Sequence, residues 1–194
     1  MVAWERAADP AKKRPEARGR IASTLDWMEL EAEQAPLGQI RLTLWREGRE
    51  LKILVLQGLW EAGVRPSMPS PVLVLYQQGQ QRVDAGDVPA GLALWEQASR
   101  QVAGDETWPS RFWLSLRRSE AWLKAQRPAD AKEACNRALG EATARRSPLA
   151  RIAALNCLAK TAEAVQDEKA GFDALREVKE LWESLHGRSP SVAK

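Results

Sequence analysis

The side chains that could perform acid–base or nucleophilic chemistry form no catalytic set in this 194-residue chain, and its many carboxylates fall mostly on predicted helix faces. It has one histidine, His186, which lies close to the C-terminal end of the sequence. Because a serine or cysteine nucleophile needs a positioned base, a histidine at that place offers no attractive pairing. The sequence also shows no phosphate-binding loop, dinucleotide glycine pattern, zinc spacing or calcium loop. We therefore predict that the protein is not an enzyme and has no cofactor or metal.

The two cysteines, Cys135 and Cys157, are the other reactive side chains. They fall on neighbouring predicted helices and do not have the spacing of metal ligands. Two small buried thiols are typical of this setting, and a reducing compartment favours them. A disulfide or a redox pair is the alternative.

The positive charge is concentrated at the N-terminus. The net charge is +3, and the basic surplus of residues 1–20 accounts for all of it. Pro10, Pro15 and Gly19 interrupt this segment, which predicts a basic, flexible leader. The alternative is an arm, anchored by Trp4, that contacts a partner or nucleic acid phosphates. The candidate contacts are the basic side chains Lys12, Lys13, Arg14, Arg18 and Arg20.

Length and hydropathy limit the class of protein. A chain of this length can bury one sizeable core or one continuous row of stacked units. No secretory apolar segment follows the N-terminus, and no apolar run approaches the ~18 residues of a membrane span. We predict a soluble, cytoplasmic protein without a membrane partner. The sequence leaves homo-oligomerisation open.

A repeat with a period of 40 residues organises residues 69–189, and three sets of positions coincide without gaps. These sets are Gly79, Ser119 and Ala159; Gly91, Ala131 and Gly171; and Ala98, Ala138 and Val178. Apolar residues recur between them at helical spacing. Self-similarity at such a period is typical of stacked helical hairpins, which must pack together to bury their apolar faces. Because glycine in a helix costs about 1 kcal/mol relative to alanine, the three glycines indicate close helix packing.

The segments AGDVPAGLALWEQAS and QRPADAKEACNRAL hold two members of the second set, Gly91 and Ala131. They resemble the inter-helix turn and second helix of the tetratricopeptide repeat family, and the likeness covers about 120 residues of the chain. It implies an all-α fold, a right-handed array of helical hairpins in the longer-repeat form, and a non-catalytic adaptor or scaffold. The proline that usually closes the second helix is absent at Ala103, Thr143 and Glu183.

The resemblance also implies a binding site, because in this family the first helix of each unit lines a concave groove. The implied lining of this chain is Leu73, Tyr76, Gln80, Val83, Trp113, Leu116, Glu120, Leu123, Ala153, Asn156, Lys160 and Glu163. Only Asn156 and Lys160 match the residues that hold a peptide carboxylate in the family. The aromatic and apolar lining favours an amphipathic helix or an extended apolar peptide as partner. The alternative is that Trp113 and Leu116 pack inward and close the groove.

Residues 21–68 are predicted to form extra N-terminal helices. A capped helix is expected over residues 21–35, ending at a proline, and a second over residues 37–46. The apolar stretch 50–63 completes a possible degenerate repeat at residues 37–68, since a terminal repeat lacks one neighbour.

The proline-rich segment around residues 63–71 permits a different interpretation. Residues 56–82 resemble plasmid-type helix-turn-helix segments with a Gly-x-Arg-Pro-Ser turn. The candidate base contacts after the turn are Gln77, Gln78, Gln80, Gln81 and Arg82. The alternative function is therefore a helical subunit of a nucleoprotein or transcription-regulatory assembly, which contacts nucleic acid through this segment or the leader. Residues 190–194 are predicted to be a tail.

Overall fold

The computed structural model describes residues 2–58, 60, 64–102 and 104–186. The chain divides between Ser67 and Met68 into an N-terminal unit and a C-terminal helical unit. The described residues are mostly helical, but they also form one four-stranded antiparallel sheet. The all-α prediction is therefore wrong for the N-terminal unit. The predicted tail, residues 190–194, lies outside the described residues.

The N-terminal unit is built on strands β1 (Val2–Arg6), β2 (Ala17–Ile21), β3 (Ile40–Arg46) and β4 (Arg49–Val55). Their order is β2-β1-β3-β4, so β2 and β4 are the two edges. The prediction of a flexible leader over residues 1–20 was wrong. In β2 small or apolar residues alternate with Arg18 and Arg20, which is the period of a half-buried strand. The same alternation places Val2 and Trp4 of β1 against the apolar cluster of the sheet.

Two arginines hold the connection between β1 and β2 in place. Arg6 is buried, and its guanidinium donates to Gln34 Oε1 at 3.2 Å and to Pro15 O at 3.0 Å. Arg14 Nη1 donates to Leu37 O at 3.0 Å. The bonds to Gln34 and Leu37 tie the connection to a distant segment, so basic residues of the predicted flexible leader stabilise its fold.

The helix predicted over residues 37–46 and the helical repeat predicted over residues 37–68 were also wrong, because β3 and β4 form a hairpin. Its turn residues, Glu47 and Gly48, both have positive φ, 54° and 76°. Two such residues form the turn whose twist matches that of paired strands. Ile40 and Leu42 are buried while Arg41 is exposed, so burial alternates along β3.

The helix predicted over residues 21–35 forms as α1 (Thr24–Glu29), and continues through a π-helical turn (Leu30–Gln34) and a 3₁₀ turn (Ala35–Leu37). Ser23 is its N-cap, and Asp26 completes a capping box. Leu30 packs against Ile40 and Leu42. The apolar face of the sheet thus has its core beneath this short helical segment.

The C-terminal unit consists of α2 (Ser70–Asp84), α3 (Val88–Gln101), α4 (Trp108–Lys124), α5 (Pro128–Ala144), α6 (Pro148–Ala164) and α7 (Glu168–His186). The helices predicted in this region are confirmed, and they follow one another as three hairpins. The turn inside each hairpin has a residue with positive φ at the same place in the period, Gly86, Gln126 and Gln166. A left-handed residue just after a helix satisfies its last carbonyls and ends it.

The first hairpin contains a close helix contact. A Cβ on Gly91 would lie 2.6 Å from both Gly79 O and Val83 Cγ2, and a Cβ on Gly79 would lie 2.4 Å from Trp95 Cδ1. The close-packing interpretation therefore holds for Gly79 and Gly91. It does not hold for Gly171, where the nearest neighbouring atom would be 3.8 Å away.

We expect Gly91→Ala to lower the free energy of unfolding by about 1–3 kcal/mol, because the new methyl group meets backbone that cannot rotate away. Gly140→Ala is the matched control in α5, since a Cβ there meets nothing within 4 Å. The control should raise the stability by up to about 1 kcal/mol through helix propensity. Urea unfolding of both variants measures this contrast. Equal changes in the two variants would contradict the close contact.

Cys135 and Cys157 form a disulfide that joins α5 to α6, so the expectation of two thiols was wrong. The Cα atoms lie 5.7 Å apart, within the range of disulfide-bonded pairs. Cys135 is fully buried, and its Sγ lies 3.0 Å from Ser119 Oγ of α4. The bond links the second hairpin covalently to the third.

An ion pair joins the loop before α4 to the end of α5. Arg145 Nη2 lies 2.5 Å from Asp105 Oδ1, and this hydrogen bond, with the charge of Arg145, lowers the pKa of Asp105 below its ordinary value of 3.8. The pair contributes stability above the unfolded-state pKa, and this contribution is lost as the pH falls through the folded-state pKa. Arg145→Ala should raise the pKa of Asp105 toward 3.8 in an NMR titration of its carboxyl carbon. An unchanged pKa would show that the pair does not persist in solution.

Candidate protein-binding surface

The residues predicted to line a concave groove lie on α2, α4 and α6, the first helices of the three hairpins. The structure brings an aromatic subset of them together. The rings of Tyr76 and Trp113 have centroids 5.1 Å apart, and Tyr76 also stacks on Trp95 at 5.8 Å. All three belong to the apolar cluster of the first two hairpins. Tyr76 and Trp113 therefore serve at least in part to pack α4 against the first hairpin.

Polar residues of the predicted lining are engaged in the same contact. Gln80 Oε1 accepts a hydrogen bond from Arg117 Nη2 at 3.1 Å, and Arg117 also pairs with Glu120. Val83 is buried in the core. Leu73, Leu116 and Leu123 are half-buried, so this part of the predicted lining has little free apolar surface.

Asn156, Lys160 and Glu163 lie elsewhere, in a groove of about 1150 Å³ between α6 and α7. The two large apolar side chains of this groove belong to α7. Phe172 is 70% exposed and Leu175 is 48% exposed. The remaining lining residues are Ala159, Gln166, Asp167, Glu168 and Gly171. We call this surface the α6/α7 face.

The 40-residue register shows why these exposures are unusual. Trp95, Cys135 and Leu175 occupy the same place in successive hairpins. Trp95 is 1% exposed and Cys135 is fully buried, whereas Leu175 is half exposed. The position of Phe172 is held by a buried leucine in α3 and by the exposed Lys132 in α5. In α5 this place carries an exposed charge, so the exposed phenylalanine of α7 is not explained by packing among the residues that the structure describes.

The rim of the α6/α7 face is acidic on balance. Glu163, Asp167 and Glu168 outnumber the one cation, Lys160. Asp167 also caps α7, since its Oδ1 accepts a hydrogen bond from Ala170 N at 3.0 Å. A ligand with an apolar stripe and basic flanks would complement this face.

A second groove, of about 1040 Å³, lies between α5, α6 and α7. Leu155, Leu158 and Leu181 contribute apolar side chains to it, and the ion pair between Arg151 and Glu177 crosses it. Leu155 is already buried, and Leu158 and Leu181 are half-buried. Val165, which also lines this groove, is 53% exposed, so the groove presents free apolar surface as well, but its described lining has no exposed aromatic side chain.

Sequence reasoning missed Phe172 and Leu175. Both belong to an apolar series on α7, Phe172, Leu175, Val178 and Leu181, at three-residue spacing. Apolar residues at helical spacing predict burial, and the family resemblance implies binding by first helices alone. The informative signal is the residue type at one place in the repeat, where α5 has Lys132 and α7 has Phe172.

The basic residues of the predicted leader do not form one arm. Lys12 and Lys13 lie in and just after a short 3₁₀ turn, where Lys12 pairs with Asp9 at 3.6 Å. Arg14 contacts the segment after α1. Arg18 and Arg20 are exposed on β2.

The first helix of the helix-turn-helix predicted at residues 56–82 lies largely outside the described residues, which leave out 59 and 61–63. Such a motif needs a helix before its turn, but residues 49–55 form a strand and residues 56–58 are irregular, with φ of 136° at Gly58. The glutamines lie on a single helix, α2, that follows an extended segment.

Among the described residues, no helix has both the length and the apolar character needed to cross a membrane. Over the same residues, no group of three histidine, cysteine or acidic side chains is placed to hold a metal ion. Comparisons with protein-family models, with curated proteins and with solved structures found no match.

Proposed function

We propose that the three hairpins form a tetratricopeptide-like right-handed array, and that the protein is a non-catalytic adaptor that binds an amphipathic helix of another protein on the α6/α7 face. The observation that carries this proposal is the exposure of Leu175, at a place in the repeat where Trp95 and Cys135 are buried. Exposed apolar clusters with a polar rim are typical of interaction sites.

Packing in the first two hairpins supports a helix as the ligand. Leu114 and Ala121 of α4 are buried in one cluster with Leu92 and Trp95 of α3. An added helix therefore covers the apolar face of the first hairpin. In a repeat protein each unit contacts its neighbours in a similar way. A helix on the α6/α7 face would repeat this arrangement and cover Phe172 and Leu175.

The chemistry of the face defines the partner segment. Phe172 and Leu175 require apolar side chains spaced three or four residues apart, as on one side of an amphipathic helix. The acidic rim favours lysine or arginine beside that stripe, mainly through faster association and register. Phe172 is the expected hot spot, because a large aromatic at the centre of such a contact contributes most of the binding energy.

We expect Phe172→Glu to weaken partner binding by at least about tenfold, because it places a charge in the apolar contact. Val74→Glu is the matched control on α2, since Val74 is a similarly exposed apolar residue away from this face. The experiment is a pull-down from the native host, followed by titration of the purified partner against each variant. Thermal unfolding should be unchanged in both. Equal retention of the partner by the two variants would contradict the proposal.

A second candidate is contact with nucleic acid through the outer face of the sheet. The strand register places Arg18 and Arg41 on that face with Glu5 between them, and Arg20 and Lys52 on it one row away. Arg41 pairs with Glu5, and Lys52 pairs with Glu50 at 3.1 Å, which reduces the available positive charge. Salt separates the two candidates. Phosphate contacts weaken steeply between low and physiological salt, whereas helix binding to an apolar face responds little.

A further inference from the structure

The outer edge of the sheet, strand β4, presents an unusual amount of apolar side chain. Leu51 is 41% exposed, Ile53 46% and Leu54 57%. The opposite edge, β2, carries Arg18 and Arg20 instead. Proteins usually protect an edge strand with charge, a proline, a bulge or a covering element, because its free backbone groups pair readily with another strand. β4 is thus the edge suited to pairing.

The β3–β4 turn determines which backbone groups of β4 are free. The two-residue turn makes Arg46 and Arg49 a hydrogen-bonded pair, and such pairs alternate along an antiparallel ladder. Residues 49, 51, 53 and 55 therefore bond to β3. The N–H and C=O groups of residues 50, 52 and 54 point away from the sheet, and no other strand of the described residues pairs with them.

We propose that β4 pairs antiparallel with β4 of a second copy of this chain, with the two-fold axis at Leu51, so that two four-stranded sheets become one. This register places Glu50 of each copy opposite Lys52 of the other. Opposite charges directly across a strand pair are stabilising, and like charges are destabilising. The charge pattern of β4 thus complements itself.

The neighbouring registers lack this complementarity. Moving the axis to Lys52 would place the two Lys52 side chains opposite each other. Moving it to Ile53 would place Lys52 opposite Leu54, so that Glu50 and Lys52 would no longer face each other. Only the Leu51 register of these three joins opposite charges along the free edge.

The apolar side chains of β4 fit the same register. Leu51 and Ile53 lie on the face of the sheet that carries Ile40 and Leu42, as the strand register shows. At the axis the two Leu51 residues form a non-hydrogen-bonded pair, in which side chains approach most closely. Pairing would therefore bury both Leu51 side chains and extend the apolar face across the axis. This proposal is independent of helix binding by the α6/α7 face.

Charge exchange on the full-length protein tests the proposal. Sedimentation velocity should show a dimer for the unsubstituted chain. Glu50→Lys and Lys52→Glu alone should each weaken it by about tenfold or more, because both crossed pairs become repulsive. An equimolar mixture of the two variants should recover a dimer, as should the chain with both substitutions. A monomeric unsubstituted chain, or single variants that dimerise normally, would overturn the proposal.

Cysteine scanning tests the register. Leu51→Cys should form a covalent dimer under mild oxidation, since paired residues at the axis lie within disulfide range. Ile53→Cys should not, and the native cysteines are already joined to each other. Cross-linking by Ile53→Cys alone would overturn the register. Slow amide exchange at residues 50, 52 and 54 in a monomer would overturn the dimer, because it would mean that another segment of the same chain covers the edge.

Discussion

Trp95→Ala should lower the free energy of unfolding of the helical unit by about 3–5 kcal/mol. Trp95 is the largest fully buried side chain of the described residues. It stacks on Tyr76, and its indole Nε1 donates to Tyr76 O at 3.0 Å. Truncation would leave a cavity between α2 and α3 and a backbone carbonyl without its donor.

Phe172→Ala is the matched control, because it removes an aromatic side chain that is mostly exposed in the same helical unit. Its effect should stay within about 0.5 kcal/mol. Urea unfolding followed by far-ultraviolet circular dichroism measures both variants. If Phe172→Ala lowers the free energy of unfolding as much as Trp95→Ala does, the difference in burial between the two side chains is wrong.

The second large effect concerns the disulfide. Replacing Cys135 and Cys157 together by alanine should lower the free energy of unfolding by about 3 kcal/mol, because the bond restricts the unfolded chain over the loop it closes. Dithiothreitol should destabilise the unsubstituted protein by a similar amount. The double variant is the control, and dithiothreitol should leave its unfolding unchanged. A reductant that has no effect on the unsubstituted protein would show that the bond is absent in solution.

The disulfide also bears on the predicted cytoplasmic location. Such bonds persist in oxidising compartments and are rare where thiols are kept reduced. Alkylation of thiols in intact host cells, followed by mass spectrometry, determines the state of Cys135. Outside a reducing compartment we expect a disulfide, which resists alkylation. Inside one we expect two thiols that are alkylated.

The helical unit was predictable because its register is carried by local sequence. Gly79 lies against Trp95 in the first hairpin. At the equivalent places of the second hairpin, Ser119 contacts Cys135. The disulfide was harder to predict, because two cysteines on neighbouring helices suit either two thiols or a bond. Only the three-dimensional structure, in which the two Sγ atoms are bonded, decides between these.

The N-terminal unit was not predicted, because its strands depend on partners distant in the sequence. β1 pairs with β3 across more than thirty residues, and the apolar run of β4 suits a helix equally well until that pairing is known. Local signals exist in the alternation of β2 and in the Glu47-Gly48 turn, although glutamate is an uncommon first residue for a turn with positive φ.

The candidate site was predicted only in part. Asn156 and Lys160 do line the α6/α7 face, although their partners in the prediction pack between hairpins instead. Phe172 and Leu175 were missed, because a periodic apolar residue on a helix indicates burial unless the structure shows that no described residue covers it. That comparison required the burial of Trp95 and Cys135.

Site-specific photo-cross-linking tests the central claim, that the α6/α7 face binds a helix of another protein. Phe172 is replaced by p-benzoylphenylalanine in the native host, with the same substitution at Val74 as the control. We predict an adduct from position 172 with a second protein, through a segment with an apolar stripe and basic flanks, and none from position 74. Adducts at both positions alike, or from position 172 only with copies of this chain, would contradict the account.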